Sequence, residues 1–311
     1  MSYSFDVKTE LSEIGIKKRE LRRAELAGIA YFSATLSLGR QGLSFSLSTE
    51  HMDVVRRAIS LIEKLYTVEF ELSAIEQPPK MTMTYIIKIS SDTDTRIVMD
   101  DLGLEISAGV APREDIFETV LKTENERKCF ARGAFLGGGS ISDPQKSYQM
   151  EFVTAQQSLA EPLMQILKKW KINVKGTTRK NAYVVYLKES ESIIELLTRI
   201  GAVSSLLEIE NIKIMKSINN DVNRASNFEL ANMDRIVASS DENIRCIMLI
   251  QQHMGLDTLP KNLRDMAELR LAHPDESLAE LAELSGTMTK SGINHRLRKI
   301  REIASAIPQE Q

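Results

Sequence analysis

The sequence predicts an α+β protein in two parts: a duplicated domain of αββαββα type, followed by an all-α helix-turn-helix domain. Three observations predict it. Two helix-compatible stretches, ELAGIAYFSA at 25–34 and FARGAFLGGGSISDP at 130–144, are unusually small-faced. After each stretch the strand and helix patterns come in the same order, which reads as an internal duplication. The last 50 residues hold two short helix patterns separated by a glycine-containing break, the signature of a helix-turn-helix.

The second small-faced stretch is the most informative. Phe130, Ala131, Ala134, Phe135 and Leu136 suit a helix, which then meets Gly137, Gly138 and Gly139. Glycine inside a helix costs about 1 kcal/mol relative to alanine. Its use there is close backbone approach or a helix end. A lone helix needs no such face, whereas a helix pressed backbone to backbone against another does. Ala27, Gly28 and Ala34 supply a matching partner, so Ala27, Gly28, Gly133 and Gly137 are the expected helix interface. Ser140 to Pro144 then reads as a turn, since Asp-Pro favours one.

In the first copy, strand patterns at Leu43–Ser48, Val68–Ile75 and Thr82–Ser90 surround a helix pattern at Glu50–Tyr66. A second helix pattern ends at Leu102-Gly103. The second copy repeats this with strands Tyr148–Thr154, Ile172–Thr178 and Ala182–Leu187, a helix Leu159–Trp170, and a helix ending at Ile200-Gly201. Gln77-Pro78-Pro79-Lys80 reads as a hairpin-like connection, and Ile106–Asn125 as a loop entering a connecting helix. Ahead of the first copy, Lys17, Lys18, Arg19, Arg22 and Arg23 form either a solvated helix face or a phosphate-contacting edge. Ile209–Ile218 reads as a strand or extended segment, and the polar run after it marks the expected boundary. The duplicated domain is thus expected over 1–222, with copies at about 1–105 and 106–205, and the helical part over 223–311. Within the latter, Leu230, Met233, Ile236 and Val237 form an apolar stripe expected to be core. Ser239-Ser240-Asp241 reads as the cap of a new helix.

The strongest functional signal lies at the end of the chain. Lys261–Leu271 is a helix pattern with Pro260 at its start, Ser277–Leu284 is a short helix, and Ser285-Gly286 breaks it. A third helix runs from about Lys290 to Ile303. Ile293, Leu297 and Ile300 repeat at helical spacing and should face inward. Ser291, Asn294, His295, Arg298 and Lys299 should face outward. Between Ser285 and Arg301 stand Lys290, Arg296, Arg298, Lys299 and Arg301, and no acid. Asn pairs bidentately with adenine and Arg with guanine. Lys290 and Ser291 suit phosphate or base-edge contact near the helix start, while Arg296 and Arg301 lie off the central face and suit the DNA backbone. Double-stranded DNA is therefore the expected partner. The plainer alternative is a charged, solvated helix end in a small bundle.

Composition bounds the rest. The 311 residues are 42% hydrophobic and 27% charged, ordinary for a globular chain, and long enough for two domains. A net charge of −3 carries no global signal for nucleic acid, so contact must come from local patches. Cys129 and Cys246 lie far apart, against both a disulfide framework and a zinc site, and fit reduced thiols in a cytosol. The opening MSYSFDVKTELSEI is too polar for a signal peptide, and no run of 18 apolar residues offers a membrane span. A cytoplasmic protein without cofactor or metal is expected. The oligomeric state is open, and a monomer is compatible with the sequence.

LAGIAYFSA and ARGAFLGGG resemble the paired nine-residue helices of LAGLIDADG homing endonucleases. The chain as a whole resembles one branch of that superfamily, the WhiA proteins. SYSFDVKTEL at 2–11, FARGAFLGGGSISDP, NRASNFELANMDR at 223–235 and KSGINHRLRKI at 290–300 carry the likeness over nearly the whole length. The resemblance implies two packed helices, each carrying a saddle of antiparallel strands. It also implies a bacterial DNA-binding regulator with roles in cell division, chromosome segregation and, in sporulating species, sporulation, with other regulatory or division proteins as partners. In the endonucleases the eighth position of each motif is an acid that holds a divalent metal. Here the eighth positions are Ser33 and Gly138, so the catalytic apparatus is expected to be absent. Glu25 is read as a helix-start charge and Asp143 as a turn residue, with metal ligation as the alternative for both. The competing function is an active, metal-dependent, site-specific endonuclease.

Overall fold

The computed structural model describes residues 2–39, 42–77, 82–106 and 110–307. The chain divides into two compact units, Met1–Ile214 and Met215–Gln311.

The first unit opens with α1 (Tyr3–Ser12) and α2 (Arg19–Ser33). There follow β1 (Ala34–Gly39), β2 (Gly42–Thr49), α3 (Met52–Leu65), β3 (Glu71–Gln77), β4 (Thr82–Ile89) and α4 (Asp92–Asp101). A hairpin of β5 (Leu104–Ile106) and β6 (Val110–Pro112) and the short α5 (Ile116–Thr119) connect the copies. The second copy is α6 (Glu124–Gly138), β7 (Gly139–Ile141), β8 (Met150–Thr154), α7 (Gln157–Lys169), β9 (Lys175–Arg179), β10 (Ala182–Leu187) and α8 (Ser190–Ile200). Both copies read αββαββα. Their antiparallel sheets have the same order, β1-β2-β4-β3 and β7-β8-β10-β9, so the duplication is physical.

The first strand of each copy, which the αββαββα type requires, has no strand pattern of its own among those read from the sequence. Ala34 and Gly139 leave their helices directly in extended geometry, with no intervening loop. Ser140 is thus a strand residue paired with Glu151, and the turn begins only at Asp143, whose Oδ1 accepts from Gln145 N at 2.9 Å. The expected turn at Pro78, Pro79 and Lys80 lies outside the described residues. One face of β2 buries Leu43, Phe45 and Leu47 while its other face carries Ser44, Ser46 and Ser48, as a one-sided sheet requires. Arg19, Arg23 and the Tyr66 hydroxyl converge on Asp101, which makes those members of the basic cluster structural ties.

The segment read as a strand at Ile209–Ile218 is helical. It belongs to α9, Val203–His253, a helix of 51 residues. No proline or glycine interrupts that span, so the polar run at Asn219–Arg224 has nothing to break it. Its first turn is capped from afar: the Glu10 carboxylate accepts from the N–H groups of Ser204 (2.6 Å) and Ser205 (3.0 Å). Sequence spacing could not show that cap, since its acceptor is supplied by α1.

The second unit contains the rest of α9, then α10 (Lys261–Ala272), α11 (Leu278–Ser285) and α12 (Lys290–Ser305). Its core is Ile247, Ile250, Leu259, Leu263, Met266, Leu281, Ile293, Leu297 and Ile300 with small neighbours. The stripe at Leu230, Met233 and Val237, expected as core, is exposed: each side chain is more than half accessible. Ser239-Ser240-Asp241 starts no helix. Ser240 is buried, and its hydroxyl donates to the Pro274 carbonyl.

Candidate nucleic-acid interface

The α11–turn–α12 module is built by local sequence. Ser277 caps α11 in a reciprocal capping box with Glu280. Gly286 ends the helix at φ +66°, a left-handed conformation that glycine adopts without penalty. Thr289 then caps α12, its hydroxyl accepting from Gly292 N at 3.2 Å. Ile293, Leu297, Ile300 and Ala304 bury one face of α12 against the core. Lys290, Ser291, Asn294, His295, Arg298 and Lys299 are exposed.

The two flanking arginines are half-buried and engaged. Arg296 Nη1 reaches Met288 Sδ, and Arg301 Nη1 donates to Glu242 Oε2 at 3.1 Å. Arg298 lies 3.7 Å from Glu302 across an exposed helical turn, an arrangement worth only a few tenths of a kcal/mol. Lys290 and Lys299 form no ion pair among the described residues. The exposed face of α12 thus presents amide, hydroxyl, imidazole and cationic groups within one helical face, which is chemistry suited to base edges and phosphates.

In the first unit, the expected interface residues meet. A Cβ on Gly28 would lie 2.1 Å from the Phe130 carbonyl oxygen of α6. One on Gly133 would lie 2.0 Å from the Glu25 carbonyl oxygen of α2, and one on Gly137 would lie 2.6 Å from that of Ile29. Ala27 is fully buried between them. The helix ends carry Ser33 and Gly138. The Ser33 hydroxyl turns back to donate to Ile29 O at 2.8 Å. A Cβ on Gly138 would meet the carbonyls of Val153 at 2.3 Å and Phe32 at 2.9 Å, so position 138 admits no acidic side chain without backbone movement. Among the described residues no cluster of His, Cys, Asp and Glu has metal-binding geometry.

Glu25 corrects its expected role. It sits inside α2, fully buried, as the centre of an ionic network across the helix pair. Arg57 Nε donates to its Oε1 at 2.5 Å and Arg132 Nη1 to its Oε2 at 3.1 Å, while Arg132 Nε donates to Ile200 O at 2.9 Å. Burial raises the Glu25 carboxyl above its ordinary range, against the pull of the two guanidinium groups. Sequence reasoning missed Arg57 and Arg132. The available signal was Arg132 itself, a charge in the middle of an otherwise small and apolar helix. Arg270 was missed likewise: it is 2% exposed and its Nη1 holds the carbonyls of His273, Pro274 and Glu276.

Two αββαββα copies joined through small-faced helices, with a helix-turn-helix unit after them, define a LAGLIDADG-like protein with a helix-turn-helix domain. Family models agree along the chain: the WhiA N-terminal LAGLIDADG-like domain matches residues 19–104, the WhiA LAGLIDADG-like domain 127–219, and the WhiA C-terminal HTH domain 222–304. The probable cell division protein WhiA of Clostridium beijerinckii is 42% identical over 312 residues, covering 99% of each chain. That of Clostridium acetobutylicum is 40% identical, covering 100% of this chain and 99% of its own. Among solved structures, full-length DUF199/WhiA from Thermatoga maritima covers 100% of both chains with a TM-score of 0.62 at 26% identity. The chain belongs to the WhiA family.

Proposed function

We propose that the chain is a DNA-binding transcriptional regulator acting in cell division and chromosome segregation, and in sporulation where the organism sporulates. Residues 223–311 read DNA through α12, and residues 1–222 serve as a scaffold that does not cut it. The protein works in the cytoplasm at the nucleoid, with double-stranded DNA and other regulatory or division proteins as partners. The observation that carries this reading is the acid-free run from Ser285 to Arg301, folded so that its apolar positions are buried and its polar ones exposed. The clostridial relatives are named as probable cell division proteins, which supports the cellular role.

The test is a salt titration of full-length variants on specific and scrambled duplexes, the specific site being taken from genomic footprinting. Asn294→Ala and Arg298→Ala should each lose roughly 1–3 kcal/mol of discrimination at particular base pairs. Arg296→Ala should weaken all duplexes alike and lower the salt slope by about one. Arg301→Ala should act in the same sense but less, because Arg301 must leave Glu242 to reach a phosphate. Equal loss on every duplex from all four variants would remove α12 as the sequence reader.

The scaffold reading rests on the helix ends. With Ser33 and Gly138 there, no carboxylate pair can hold a hard divalent cation. Supercoiled plasmid incubated with Mg²⁺ or Mn²⁺ should stay intact. Cleavage that disappears in Asp143→Ala would restore the endonuclease.

A further inference from the structure

The segment Asn223–Arg235, one of the stretches behind the family resemblance, takes no part in base reading by α12. Its C-terminal end contributes to a cleft in the second unit. Asn232 and Arg235 of α9, Arg270 of α10, Ser277 and Ala279 at the start of α11, and Lys290 at the start of α12 line it. Three cations from three helices meet there, and none of the described lining residues is acidic. Arg235 and Lys290 are exposed and form no ion pair among the described residues. Glu276 offsets part of the Arg270 charge and Glu280 is engaged with Ser277 N, so Arg235 and Lys290 are the cations left open to an anion.

Two further features point the same way. Arg270 is almost wholly buried, and its Nε has no hydrogen-bond partner. Its Nη1 is fixed by Ser240 Oγ (3.3 Å) and Glu276 O (2.7 Å), so the guanidinium cannot swing out to seek a partner. The positive end of α11 also opens here. Ser277 Oγ serves Glu280 N, and Glu280 serves Ser277 N, which leaves the first-turn N–H groups of Leu278 and Ala279 as donors the helix itself cannot satisfy. Backbone donors at a helix start together with arginine and lysine are the recurring chemistry of phosphate recognition.

We propose that this cleft is a phosphate seat: Arg235, Lys290 and the start of α11 hold one phosphate group, with the Arg270 charge fixed behind it. The phosphate is a backbone phosphate of bound DNA, because Lys290 opens the helix whose next turns carry the base-reading residues. That source rests on the DNA-binding reading; the seat itself does not. Arg235 is thereby a DNA-contacting residue lying outside the helix-turn-helix.

The test uses the full-length protein, Arg235→Ala and Arg235→Lys. Arg235 is exposed and unpaired, so both variants should melt like the parent. Arg235→Ala should weaken specific and scrambled duplexes by the same factor and reduce the slope of log K against log salt by about one. Arg235→Lys should keep the slope, since it keeps the charge. In parallel, calorimetric titration with inorganic phosphate asks whether the seat takes the free anion. Phosphate binding that is lost in Arg235→Ala, with an unchanged DNA slope, would assign the seat to a free phosphate ester and retain its chemistry. No change in either measurement overturns the proposal. If the parent binds no duplex, the DNA reading fails on its own, and the phosphate titration still decides the seat.

Discussion

Gly133→Ala adds one methyl group at the closest point of the α2–α6 pair. Its Cβ would lie 2.0 Å from the Glu25 carbonyl oxygen and 2.9 Å from the Ile29 nitrogen. A carbon beside a carbonyl oxygen needs about 3.3 Å, so the helices must part by more than ~1 Å. Both offending atoms are backbone, so no rotamer change relieves the contact. Gly28 repeats the constraint from the other helix, with Phe130 O at 2.1 Å from its Cβ position. Overpacking typically costs 1–3 kcal/mol, and backbone displacement belongs at the upper end. Alanine returns about 1 kcal/mol through helix propensity. Parting the helices also stretches the 3.1 Å contact between Arg132 and Glu25. The net loss should be about 2 kcal/mol. For a unit of this size that lowers the melting temperature by roughly 4–8 °C. Trp170 is the sole tryptophan and is buried in the core of the first unit, so its fluorescence follows that unit. Gly15→Ala is the control, because no atom lies within 4 Å of its Cβ position. If Gly133→Ala melts with Gly15→Ala, the two helices are not in backbone contact at this point.

Glu25→Ala leaves the buried Arg132 and the largely covered Arg57 guanidinium without their carboxylate, and should destabilise by about 3–5 kcal/mol by Trp170 fluorescence in urea; a loss below about 1 kcal/mol would mean that water reaches the network. Thiol labelling of the folded protein at pH 8 should modify half-buried Cys246 ahead of buried Cys129, whose thiol burial pushes up to about 11. A raised pKa makes thiolate scarce below that pH, so Cys129 should react only on unfolding, and equal native rates would contradict its burial.

How much of this was legible in the sequence depended on the range of the interactions involved. The helix pair could be read because Ala27, Gly28, Gly133 and Gly137 have no other strong reason to line helix faces. The α11–α12 module could be read because its caps are local: Ser277 with Glu280, Gly286, and Thr289 all act within a few residues. The first strand of each copy could not, since Ala34 and Gly139 become strand residues only by pairing with β2 and β8. The isoleucines of Ile209–Ile218 imitated a strand, and the helix that forms there has its first turn capped by Glu10, far away in sequence. The network at Glu25 was misjudged for the same reason: its partners come from α3 and α6, and a lone acid near a run of arginines looks like a surface charge.

One physical feature joins the scaffold to its proposed loss of chemistry. Close packing of α2 and α6 demands glycine wherever a side chain would strike the neighbouring backbone. At position 138 the neighbours are the carbonyls of Val153 and Phe32, one from β8 and one from α2. An aspartate there would have to push the strand away from the helix before its carboxylate could reach any metal. It would also leave the carboxylate beside two carbonyl oxygens, which repel it unless a cation arrives. Restoring acids at 33 and 138 alone should therefore destabilise the first unit without producing cleavage. The glycine that lets the α6 end pack against β8 and α2 is thus the same one whose place a metal-binding aspartate would need.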